Sequence, residues 1–91
     1  MLTIIKFGAE WCSGCKIMTP IIEEVVKNNP DVRFKDVDVE NDENNLSAKY
    51  GIKSLPTLIF ESDDKEFEYK FVGTVPASKI QKVINDYNKL M

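Results

Sequence analysis

Residues 2–16 read LTIIKFGAEWCSGCK. Leu2 to Phe7 is mostly apolar and rich in β-branched residues, the pattern of a strand covered on both faces, and it ends at Gly8-Ala9. Beyond the cysteines, Met18, Ile21, Ile22, Val25 and Val26 recur at helical spacing, with Glu23, Glu24 and Lys27 elsewhere on the wheel. Asn28-Asn29-Pro30 closes that segment. Cys12 and Cys15 therefore fall where a strand gives way to an amphipathic helix starting near Cys12. Pro20 lies inside the helix, where it removes a hydrogen bond and is expected to bend the axis.

Working outward, Val32 to Val39 alternates as a second strand, and the route strand, helix, strand implies a right-handed parallel crossover. Asn41 to Asn45 reads as a polar loop. Leu46 to Tyr50 holds about one helical turn, stopped by Gly51 where a left-handed backbone is favoured. Ile52 to Pro56 leads into a third strand, Thr57 to Phe60. Ser62 to Lys65 reads as a tight turn, and Phe67, Tyr69 and Phe71 then alternate with Glu66, Glu68 and Lys70 as a half-exposed hairpin strand. Pro76 suits a first helical turn, and Ile80, Val83, Ile84, Tyr87 and Met91 fall on one helical face. The order βαβ, short helix, ββα predicts an α/β fold: a mixed sheet of about four strands flanked by helices, in one domain over residues 1–91.

The chain has 91 residues, 43% hydrophobic and 30% charged, which suits one core and no more. A net charge of -3 with lysines scattered among acids argues against nucleic acid or an anionic membrane as partner. Leu2 to Ile5 is too short for a signal segment, and no run approaches the roughly 20 apolar residues of a membrane span. The expectation is a cytoplasmic monomer.

In a reducing cytoplasm a permanent staple is unusual, and two cysteines three apart close too small a loop to constrain much of the unfolded chain. Zinc wants four ligands, but the sequence has no histidine and no second cysteine pair. These considerations favour a reactive dithiol over an inherited inactive pair, a metal site or a staple. No phosphate-cradling glycine loop or metal cluster asks for a bound cofactor.

Phe7, Ala9-Glu10-Trp11-Cys12, Cys15-Lys16, Pro20, Lys49-Tyr50-Gly51-Ile52, Leu55-Pro56-Thr57 and Val72-Gly73 together resemble the thioredoxin family, in order and at near-family spacing over nearly the whole chain. The resemblance implies a thioredoxin fold that lacks the leading strand and helix of full-length members. It further implies Cys12 as an exposed nucleophile, Cys15 as the resolving thiol, and a cis bond at Pro56 facing them. The free amides and positive dipole end of a helix start favour a thiolate at Cys12, while Cys15, one turn deeper, is expected to be shielded and protonated until needed. Trp11, Leu55, Pro56, Gly73 and Thr74, with Val72, are expected to form a shallow groove for an extended substrate. Core burial of Trp11 is the plainer alternative.

Three departures from the family stand out. Ser13-Gly14 replaces the usual Gly-Pro, which loosens the first helical turn. Gly8 replaces a common tryptophan and is expected to open space beside the site. The family's buried aspartate is Lys6 here, and its partner lysine aligns with Asp36, which shares a strand face with Phe34 and Asp38. Lys6 and Asp36 are therefore read as a charge-reversed pair assisting Cys15, against the alternative that Lys6 simply reaches solvent. The reading is a reductase of protein disulfides, recharged by a thioredoxin-reductase-type donor. Its rivals are a glutaredoxin-like protein reset by glutathione and a non-catalytic binding module of the same fold.

Overall fold

The computed structural model describes residues 1–90; Met91, expected on the last helical face, lies outside them. The elements are β1 (Leu2–Gly8), α1 (Ser13–Lys27), β2 (Val32–Asp38), a 3-10 turn (Val39–Asn41), α2 (Leu46–Lys49), β3 (Thr57–Ser62), β4 (Glu68–Val72) and α3 (Ala77–Lys89). They form a mixed sheet in the order β2-β1-β3-β4, with β1 parallel to β2 and antiparallel to β3, and β4 antiparallel to β3. This is the expected architecture.

Strand alternation divides β1 between two cores. Leu2 and Ile4 pack with Met18, Ile22 and Val25 of α1 and with Ile80, Val83 and Ile84 of α3, while Ile5 and Phe7 face Val37 and Ile59 on the other side. Period two places Lys6 on the face of Leu2 and Ile4, under α1. The parallel register sets Asp36 opposite Lys6. That single alternation governs the electrostatics of the site.

Several boundaries differ from expectation for local reasons. Val39 continues into the 3-10 turn rather than the strand, because the Asp38 carboxylate accepts from the Glu40 amide at 2.9 Å. In the polar loop, the Asp42 carboxylate accepts from the amides of Leu46 (3.0 Å) and Ser47 (2.7 Å) and caps α2. Gly51 follows α2 with φ of 65°, as its position predicted. Phe67 precedes β4: its amide donates to Ser62 Oγ and its ring stands edge-on to Tyr87, which closes the hairpin. Pro76 caps α3 instead of occupying its first turn. Among the described residues no helix is long and apolar enough to cross a membrane.

Candidate active site

Cys12 is the N-cap of α1, with extended backbone, and its Sγ accepts a hydrogen bond from the Cys15 amide at 3.2 Å. The two sulfurs are joined as a disulfide, with Cα atoms 5.3 Å apart, so the structure shows the oxidised form. Two intervening residues in the first turn of a helix bring the Cα atoms to a separation that a disulfide spans. Cys12 is 8% exposed and Cys15 2%. The expected order of accessibility holds, but Cys12 is not openly exposed: Ala9, Val39 and Leu55 pack around the bonded pair.

Two loops converge on the first turn of α1. The Leu55-Pro56 bond is cis. A Cβ at Gly14 would lie 3.2 Å from Pro56 Cδ and 3.3 Å from Thr74 Cγ2, so Gly14 admits the proline loop and the segment after β4 at close range. The Gly73 amide donates to the Pro56 carbonyl at 2.8 Å, tying those two segments together. Trp11 is 70% exposed, which removes the core alternative. It borders a cavity of about 320 Å³ with Val39, Ile52, Lys53 and Leu55. Val39 and Lys53 were not singled out from sequence, and Ile52 only as part of the family match, since only the folded loop sets them beside Trp11.

Lys6 is 5% exposed, which overturns the alternative that it reaches solvent. Its Nζ lies 3.2 Å from Asp36 Oδ1 and donates to Thr19 Oγ1 at 2.6 Å and to the Cys15 carbonyl at 3.4 Å. Thr19 in turn donates to the same carbonyl at 3.2 Å. Sequence reasoning missed Thr19, although a threonine four residues after Cys15 on a helix is placed to bond that carbonyl. The space expected at Gly8 needs correction. A Cβ there would meet Cys15 Sγ at 2.9 Å, so the Gly8 backbone already abuts the sulfur. The opening lies further out, in a cleft of about 350 Å³ bordered by Lys6, Gly8, Cys15, Thr19 and Asp36.

With this geometry in place, the family model "Thioredoxin" matches residues 1–86. The chain belongs to the thioredoxin family. It is 38% identical to a thioredoxin of Mycoplasmoides gallisepticum over 81 residues, covering 89% of this chain and 79% of that protein. Against the thioredoxin of Bacillus subtilis the identity is 34% over 87 residues, covering 94% and 82%. The X-ray structure of Fasciola hepatica thioredoxin superposes with a TM-score of 0.82 at 34% identity, covering 93% of this chain and 79% of that one. Thioredoxins exchange disulfides with other proteins, and the Cys12-Cys15 pair supplies the dithiol for it here. The chain is a thiol-disulfide oxidoreductase.

Proposed function

We propose that the chain works as a one-domain, monomeric cytoplasmic reductase of protein disulfides, with Cys12 as attacking thiolate and Cys15 as resolving thiol. The observation that carries the reading is the cap geometry at Cys12. In the reduced protein, an amide already aimed at its sulfur and the positive end of a 15-residue helix stabilise negative charge there.

The Cys12 thiolate attacks one sulfur of a substrate disulfide, forming a Cys12-substrate bond and releasing the other sulfur as thiolate. Cys15 gives up its proton and attacks Cys12 Sγ. The Cys12-Cys15 bond forms, the mixed disulfide breaks, and the second substrate sulfur leaves and is protonated. Two electrons have passed to the substrate. A thioredoxin-reductase-type dithiol donor then reduces the internal disulfide. Lys6 and Asp36 act on Cys15 as positioning residues. An extended substrate segment lies over Trp11, Leu55, Pro56, Gly73 and Thr74, reading its backbone more than its side chains.

Insulin reduction tests the reading, with either NADPH and thioredoxin reductase or glutathione as electron source. Turnover with the reductase is expected, with Cys12→Ser inactive and Cys15→Ser trapping a mixed disulfide. Turnover with glutathione alone favours the glutaredoxin-like alternative. No turnover from any dithiol donor leaves only a binding role.

A further inference from the structure

Among the described residues Lys6 is the one buried charged side chain. An ammonium taken out of water costs several kcal/mol unless compensated. The compensation here is incomplete on the charge side: among the described residues Asp36 is the only carboxylate within ion-pair distance, and its side chain is 49% exposed. The remaining contacts, Thr19 and the Cys15 carbonyl, are neutral. Asp38 and Glu10 border the same cleft, as does Lys16 of α1.

The group that gains negative charge in this region is Cys15 itself. Its sulfur is neutral in the disulfide, and as a thiol 2% exposed it sits where burial disfavours ionisation. Lys6 binds the carbonyl of the same residue. The point 2.9 Å from Cys15 Sγ where Gly8 lacks a Cβ is also 3.4 Å from Lys6 Cε, so no side chain from β1 stands between the two. The ammonium is held at the Cys15 carbonyl, at the turn of α1 that bears the sulfur.

We propose that Lys6 is the counter-charge of the Cys15 thiolate, stabilising the resolving nucleophile directly and shifting the dithiol-disulfide equilibrium toward the reduced form. The proposal lowers the cost of removing the Cys15 proton when it is needed, and it rests on the reading of Cys12 as attacker and Cys15 as resolver. In the resolving step the Cys15 proton leaves to water in the cleft beside Asp36, Lys6 keeps its own proton, and the Cys15 thiolate displaces the substrate sulfur from Cys12. Thr19 and Asp36 hold the ammonium in place. Lys6 is a positioning and electrostatic residue rather than a proton donor.

The test is the thiolate absorbance of Cys15 as a function of pH in the Cys12→Ser protein, where Cys15 is the sole thiol. The expected midpoint falls below the free-cysteine value of about 8.5; a midpoint at or above it overturns the proposal, since burial alone produces that. In the same background Lys6→Gln, which keeps an amide donor for Thr19 and the Cys15 carbonyl, is expected to raise the midpoint by about one unit or more. Lys6→Arg, which keeps the charge, restores it. In the native dithiol, at a pH above both Cys15 midpoints, Lys6→Gln is expected to shift the equilibrium with glutathione about tenfold toward the disulfide, about 30 mV more reducing. An unchanged midpoint and equilibrium in Lys6→Gln overturn the proposal. The Cys12→Ser titration decides even if Lys6→Gln fails to fold. Normal insulin reduction by the native chain with an unshifted Cys15 sinks the counter-charge alone, whereas absent reduction sinks the reading beneath it.

Discussion

Gly14 and Pro56 stand so close that one methyl group on Gly14 would come within 3.2 Å of the proline ring. The glycine between the cysteines therefore does more than loosen the helix start. An alanine there gains up to about 1 kcal/mol of helix propensity but presses on a ring fixed by its own backbone and on the Thr74 methyl. Gly14→Ala is expected to leave the chemical denaturation midpoint unchanged or lower, and Gly14→Val to lower stability by about 1–3 kcal/mol. A clear rise for the alanine variant shows that the proline loop yields.

How much of this was legible in the sequence follows from the range over which each signal acts. The apolar run at Leu2–Phe7 and the period of Met18, Ile22 and Val25 are local, and they placed β1, α1 and the cysteines at their junction. The pairing of Lys6 with Asp36 came from the family resemblance rather than from alternation, and the parallel register sets the two opposite each other. What the sequence could not supply is depth. That α1 covers Lys6, that Thr19 bonds it, and that Gly8 abuts Cys15 Sγ all depend on how a helix sits on a sheet. The 3-10 turn and the Asp42 cap were missed because short polar side chains bonding nearby amides leave no periodic trace.

The Asp42 cap makes a prediction of its own. Its carboxyl is held below the usual carboxylate range, chiefly by the Ser47 amide. A lowered folded value means that this contribution is present above the unfolded pKa of 3.8 and fades as pH falls through the folded one. Asp42→Asn is expected to keep much of the cap, and Asp42→Ala to lower the melting temperature by a few degrees at neutral pH. The difference between Asp42→Ala and wild type should shrink in acid. A constant difference across pH shows that the charge plays no part.

Tyr50 and Glu61 form a second pH-sensitive pair. The Tyr50 hydroxyl donates to both Glu61 oxygens at 2.8 Å, and burial, followed by that hydrogen bond, pushes it up to about 12 from 10.0. Burial pushes Glu61 up, but hydrogen bonds from Lys65 and Tyr50 outweigh it and hold the carboxyl below 4.5. Tyr50 therefore contributes stability fully below pH 10 and loses it as pH rises toward 12. Spectrophotometric titration of the three tyrosines is expected to show one late step, absent in Tyr50→Phe. A late step that survives the substitution assigns it elsewhere.

Trp11 separates docking from packing. A large aromatic side chain 70% exposed next to a reactive pair contributes little to the core, so Trp11→Ala is expected to change stability by no more than about 0.5 kcal/mol. Its indole instead borders the cavity with Ile52 and Leu55, where an apolar side chain of a substrate would lose water on binding. The KM for a protein disulfide is therefore expected to rise about fivefold, ~1 kcal/mol, while alkylation of Cys12 by a small reagent stays within about twofold of wild type. A loss that is equal for the small reagent and the protein substrate places the effect of Trp11 on the sulfur itself, and the groove then has no claim on the tryptophan.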